Sequence, residues 1–197
     1  MRSLSLHVPH LIIMVGIPGA GKTFFAKHFS DTFNIPFINV GTIRHQLLSR
    51  PTYSKNEDVI VGHIANYALD ELLKTGKTVI YEGFSGYHPE RDALVKKAKA
   101  AGYEAVFVWV QTESATSEKR FLKGNPGTSV EQFKTLVKQF KPLIQAEGAV
   151  VISGKHTYAS QVKVVLKRLI KARTLISGGP LTVKSRSPQR VDRYKER

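Results

Sequence analysis

Short apolar runs alternate along this chain with longer stretches whose apolar residues recur every three or four positions. Leu11 to Val15 is apolar without interruption and stops at Gly16, the pattern of a strand buried on both faces. A helix is predicted from about Lys22 to Phe33, then a second apolar segment, Pro36 to Val40. Between Val59 and Leu73, Ile60, Ile64, Ala68 and Leu72 form one helical row, with Val61, Ala65, Leu69 and Leu73 beside it. Gly76 is placed to end that helix, and Thr78 to Tyr81 reads as a strand. Arg91 to Ala101 reads as a helix with Lys96, Lys97 and Lys99 outward, stopped by Gly102, before a strand over Ala105 to Val110. Ser114 to Leu122 is a short helix. Thr128-Ser129-Val130-Glu131 has the form of a capping box opening another, through Phe133, Leu136, Val137 and Phe140. Ala149 to Ile152 is the last strand and Tyr158 to Lys171 the last helix. Such alternation predicts a three-layer α/β fold, a five-stranded parallel sheet covered on both faces. The first ten residues read as an irregular lead-in in which His7 and His10 are solvated rather than metal ligands. The domain is placed at residues 1–172 and a basic, disordered tail at 173–197, where apolar periodicity gives way to Gly, Pro, Ser and Arg.

Composition changes this picture mainly through charge. Of 197 residues, 42% are hydrophobic and 23% charged, which excludes a wholly disordered chain. Yet 30 Lys and Arg face only 15 Asp and Glu, a net +15 that favours polyanionic partners such as nucleic acid or phosphorylated ligands. The last helix sets Lys163, Lys167, Arg168 and Lys171 opposite Val162, Val165, Leu166, Leu169 and Ile170. That is a solvated face over a core stripe or, with the tail, a track for a nucleic-acid backbone. Cysteine is absent, which rules out disulfides and a thiol nucleophile. Leu11 to Val15 is too short for a membrane span or signal core, so the expectation is a cytoplasmic protein without a membrane partner.

The chemistry begins at Gly16-Ile17-Pro18-Gly19-Ala20-Gly21-Lys22-Thr23, which fits G-x-x-x-x-G-K-[ST] at every fixed position. The glycines let backbone N–H groups turn inward on phosphates, Lys22 reaches the β- and γ-phosphates, and the Thr23 hydroxyl ligates Mg²⁺. The helix that starts there adds the positive end of its dipole. ATP and Mg²⁺ are therefore expected. Glu82, at the end of a predicted central strand, is a candidate for holding Mg²⁺ through water or for accepting the acceptor's proton. Arg120 and Lys123, three apart on one helical face, are candidates for neutralising a transferring phosphoryl group.

Further segments narrow the family: Asn39-Val40-Gly41-Thr42-Ile43-Arg44, Val79-Ile80-Tyr81-Glu82-Gly83, His88-Pro89-Glu90-Arg91, Ser117-Glu118-Lys119-Arg120-Phe121-Leu122-Lys123 and Phe140-Lys141-Pro142. With the glycine loop, they make the chain from Leu11 to Leu169 similar to the small AAA-type P-loop kinases of the polynucleotide-kinase-like and zeta-toxin-like group. The resemblance implies ATP-dependent phosphoryl transfer to a hydroxyl, on a nucleic-acid 5′ end or a small molecule. It implies that Arg44 clamps a phosphate or acceptor group, that Glu82 stands where Asp is commoner, and that Arg120 in a lid helix meets the nucleotide phosphates. Gly41 occupies the place of the family's catalytic aspartate, which leaves open an ATPase associated with nucleic acid and lacking an acceptor. Tyr81-Glu82-Gly83-Phe84 also resembles a segment of adenylate-kinase-like enzymes, although Ser85 and Gly86 replace the expected Pro and Arg; a nucleoside-monophosphate kinase is thus a third reading. Tyr53 and Tyr87 fall in loops that border an acceptor pocket, plain surface tyrosines being the simpler reading; His45 and His63 read as polar residues on helices.

Overall fold

The computed structural model describes residues 8–83, 85–125 and 127–176; His7, Phe84, Pro126 and the expected tail beyond residue 176 lie outside the described residues. In chain order the elements are β1 (His10–Val15), α1 (Lys22–Phe33), β2 (Phe37–Asn39), α2 (Val40–Leu47), α3 (Lys55–Leu73) and β3 (Val79–Glu82). They continue with α4 (His88–Ala100), β4 (Glu104–Gln111), α5 (Ser114–Gly124), α6 (Val130–Gln139), a 3-10 turn at Gln145–Glu147, β5 (Val150–Ser153) and α7 (Tyr158–Ile176).

The strands form one sheet of order β2-β3-β1-β4-β5, each adjacent pair parallel. β1 lies at its centre, and Leu11 to Val15 are at most 1% exposed. Side chains alternate across a strand, so this uninterrupted run feeds two cores at once. Leu11, Ile13 and Val15 pack with Val61, Ala65 and Leu69 of α3 on one face. Ile12 and Met14 pack with Phe25 and Phe29 of α1 and with Val165 and Leu169 of α7 on the other. The three-layer α/β expectation with a five-stranded parallel sheet is met.

Several local expectations change. His10 is not part of a solvated lead-in: it opens β1, is 2% exposed, and its Nε2 lies 3.4 Å from Glu104, its register partner on β4. Burial pushes its imidazole pKa down, against the pull of Glu104. Val40 starts a helix rather than ending a strand, because the Asn39 side chain accepts the Thr42 N–H at 2.7 Å and caps α2. The capping box of α6 sits one residue later than its sequence pattern suggested, with Ser129 and Gln132 exchanging side-chain and backbone hydrogen bonds. On α7, Ile170 is 46% exposed rather than in the core stripe, and the helix runs through the expected boundary at residue 172 to Ile176.

The C-terminal ends of the strands are drawn together by side chains. Ser85 Oγ, just after β3, donates to the Met14 carbonyl at 2.9 Å, and Thr112 Oγ1, just after β4, donates to the Ala20 carbonyl at 2.8 Å. Open parallel sheets present their ligand crevice along this edge.

Candidate phosphoryl-transfer site

The loop between β1 and α1 owes its shape to glycine. Gly16, Gly19 and Gly21 have φ of 144°, 74° and 107°. A Cβ on Gly19 would stand 2.0 Å from the Ser117 carbonyl oxygen, so the loop is pressed against α5 as well as strained for any other residue. Lys22 turns back over the loop and donates to the carbonyls of Gly16 and Ile17 at 2.9 and 3.0 Å. Burial pushes its ammonium pKa down and nearby Glu82 pulls it up. Ala20 is fully buried beneath the loop, so that member of the motif contributes its backbone.

Glu82, at the end of β3, joins three elements. One carboxylate oxygen accepts the Thr23 hydroxyl at 2.8 Å and the other accepts the Asn39 amide at 2.9 Å. Burial pushes its carboxyl pKa up, while Lys22, Thr23 and Asn39 oppose the shift. This donor set suits Mg²⁺, which prefers one or two protein oxygens completed by waters and phosphate oxygens over a cage of carboxylates. Among the described residues no cluster of three His, Cys, Asp or Glu is placed to hold a metal. Thr23 and Glu82 would hold the ion, which on binding would neutralise phosphate charge.

A cleft of about 700 Å³ opens over this centre, bordered on the nucleotide side by the glycine loop, Lys22, Thr23 and Arg120. Arg120 on α5 donates to the Gly154 carbonyl at 3.0 Å and reaches over Gly21. Lys123, one turn further, is exposed and does not line the cleft. Nor, among the described residues, do Lys163, Lys167 and Arg168 of α7. All three are exposed, and Arg168 is near enough to His10, at the opposite edge of the sheet, to help push that imidazole down.

On the far side of the cleft, which Arg44 also lines, its guanidinium has partners within the protein. Arg44 is 5% exposed, donates to Glu57 at 3.0 Å and to Asp58, and lies 5.0 Å from the centre of the Tyr53 ring. Two carboxylates belong in the first turn of α3, where they face the positive end of the helix dipole, and together they capture the arginine. Glu57 also accepts the Thr52 hydroxyl and amide and the Tyr53 amide, all at 2.7 Å. The Thr52 hydroxyl and amide, with the Tyr53 amide and Arg44, lower its pKa from 4.5 to about 2. A carboxyl depressed on folding stabilises above its unfolded pKa and loses that contribution as the pH falls through its folded value. Glu57→Gln is therefore expected to lower the thermal midpoint at neutral pH, with the deficit shrinking as pH falls from about 4.5 toward 2. A deficit independent of pH in calorimetric scans would refute this.

Residues the sequence did not single out complete the site. Asn39 is one; an Asn at a strand-to-helix boundary was the available signal. Arg91 is another, 1% exposed, gripping Glu147 with Nε and Nη2 at 2.6 and 3.1 Å and donating to the carbonyls of Ser85 and Lys141. Gly154, after β5, is a third: a Cβ there would meet the Ala20 carbonyl oxygen at 2.0 Å. No periodicity announces such a contact.

A family model described as an AAA domain matches residues 11–143. Among solved structures, the chain is similar to a gluconokinase from Sinorhizobium meliloti 1021, 16% identical over 85% of this chain and 95% of that one, with a TM-score of 0.62. It is similar to a sugar kinase from Janibacter sp. HTCC2649, 15% identical over 85% and 98% of the two chains, TM-score 0.62. It also matches a chain of the Pnkp1/Rnl/Hen1 RNA repair complex, 21% identical over 73% of this chain and 50% of that one, TM-score 0.59. At these identities the shared property is the fold. Among the described residues no helix is long and apolar enough to cross a membrane.

Proposed function

The chain belongs to the AAA domain family and has the P-loop kinase fold, and from that premise we propose that it transfers the γ-phosphoryl group of Mg·ATP to a hydroxyl acceptor. The observation that carries this reading is the Thr23–Glu82–Asn39 chain of hydrogen bonds, which joins the glycine loop to a cleft continuing well past it. A site for hydrolysis alone needs no such second lobe. Lys22 and Arg120 bear on the phosphates, and their cations stabilise charge that builds on the transferring group. Glu82 holds Thr23 and Asn39 in place, and with them the Mg²⁺ position and the start of α2. The test is transfer of labelled γ-phosphate from ATP to a panel of hydroxyl compounds, including a 5′-hydroxyl oligonucleotide and nucleoside monophosphates. Label on an acceptor supports the kinase; label released only as free phosphate removes it.

The residue at position 41 favours a second reading, an ATPase without an acceptor. Gly41 lies in the first turn of α2, lines the cleft and brings no carboxylate. A Cβ there would come 3.2 Å from Asn39 Oδ1, a contact that a small movement relieves. If the protein is a kinase slowed by the missing base, Gly41→Asp should raise transfer by about 10²-fold. No rise would favour the ATPase.

A further inference from the structure

The acceptor half of the cleft differs in charge from the protein around it. Among the described residues the cations lining the whole cleft are Lys22, Arg44 and Arg120. Lys22 and Arg120 belong to the phosphate loop, and Arg44 is held between Glu57 and Asp58. The charged group remaining on the acceptor side is the carboxylate of Glu90, whose Oε2 caps α4 by accepting the Tyr87 N–H at 3.1 Å. A chain of net +15 thus presents no unpaired cation among the described residues of the lobe in which its acceptor must lie.

Two tyrosines line that lobe instead. Tyr53 is 58% exposed and Tyr87 40% exposed. Tyr53 has φ of 55°, a left-handed backbone that a tyrosine adopts only when its surroundings impose it. The imposing contacts are visible. Glu57 takes its N–H, Arg44 lies against its ring, and its hydroxyl is 3.3 Å from His45 Nε2. Arg44 therefore serves to fix an aromatic wall.

We infer that the acceptor is an uncharged hydroxyl compound with an apolar ring face, a nucleoside or glycoside, recognised by Tyr53 and Tyr87, and not a phosphorylated or carboxylated one. The inference rests on the kinase reading above. An anionic acceptor would shed its hydration opposite Glu90 with no counter-charge to meet it, whereas a ring face covers a tyrosine and keeps its hydroxyls for the phosphoryl group. In the transfer step the acceptor oxygen forms a bond to the γ-phosphorus as the bond from that phosphorus to the β–γ bridging oxygen breaks. ADP leaves and the hydroxyl proton passes to solvent or to a carboxylate.

The experiment compares uncharged nucleosides and methyl glycosides with nucleoside 3′-monophosphates and gluconate as acceptors of label from Mg·ATP, using the full chain. The uncharged compounds should exceed their anionic counterparts by at least about tenfold in kcat/KM, and whichever of nucleoside and glycoside accepts label names the source. Tyr53→Asn, which tolerates the left-handed backbone, should raise the acceptor KM by roughly tenfold while the KM for ATP stays within about twofold, and Tyr53→Phe should restore the acceptor KM. Equal or better use of anionic acceptors, or an acceptor KM indifferent to Tyr53→Asn, overturns the inference and leaves the kinase standing. If no compound accepts label, the kinase reading falls. Saturation-transfer NMR of the same compounds on the protein loaded with Mg·ADP then decides: Tyr53-dependent binding of uncharged rings upholds the acceptor class, and anion preference or no binding overturns it.

Discussion

Replacing Lys22 by alanine is expected to reduce phosphoryl transfer by about a thousandfold, the scale at which one preorganised charge on a developing phosphoryl transition state is lost. The ammonium is fixed by two loop carbonyls, so under the proposed reaction it would meet the phosphates already ordered. A second consequence follows from Glu82. Burial raises its pKa and Lys22 is the foremost group holding it down. Without that cation the carboxyl takes up its proton at higher pH, so the acid limb of the variant's residual activity should move upward. Rate–pH profiles of the two proteins test both statements. Near-normal transfer by Lys22→Ala would remove the loop from the chemistry, and an unmoved acid limb would uncouple the two groups.

The largest effect on stability is expected at Arg91. Removing one member of a buried ion pair leaves the other charge uncompensated, at a cost of about 3–5 kcal/mol. Burial alone would raise the pKa of Glu147, but Arg91, the Ile144 amide and His88 more than offset it and leave it lowered. Arg91→Leu should therefore lower the thermal midpoint by roughly 10 °C, and Glu147→Leu by a comparable amount. The double variant should recover part of the loss, since no lone charge is then buried. Recovery stays partial because the Ser85 and Lys141 carbonyls still lack their donor. Simple additivity of the two single losses would contradict the coupling. Ser85 lines the cleft, so Arg91→Leu should also disturb acceptor binding at temperatures where the protein remains folded.

The contrast between Lys22 and Arg91 explains what was legible in the sequence. Lys22 belongs to a contiguous motif whose spacing is dictated by phosphate geometry, and α1 spans the predicted Lys22 to Phe33. Leu11 to Val15 announced itself because the middle of a strand buried on both faces reads as an unbroken apolar run, whereas the equally buried His10 that opens β1 did not. Arg91 pairs with Glu147 across a large sequence separation, and an arginine four residues into a lysine-rich helix gives no sign of being buried. The α3 helix shows another limit. Both of its rows are apolar, and the sheet takes Val61, Ala65 and Leu69 while Ile60 is 55% and Ile64 38% exposed. Periodicity finds an apolar face but does not choose between two adjacent rows. At the site, Arg44 matched a motif position, yet the acids that capture it lie beyond the motif, in the first turn of α3.

The sheet order also bears on how the protein is made. β1 is the first strand of the sheet to be made but belongs between β3 and β4, and its pairing is incomplete until the chain has reached Trp109. The carbonyl of Ala20 waits longer for its hydrogen-bond donor, Thr112 after β4, and for Gly154 after β5, which leaves no room for a Cβ beside it. A nascent chain therefore carries the whole nucleotide motif well before it has the walls that shape it. The apolar run Leu11 to Val15 has neither of its neighbouring strands when it is first made, the kind of long-range pairing that folds slowly and leaves apolar surface exposed.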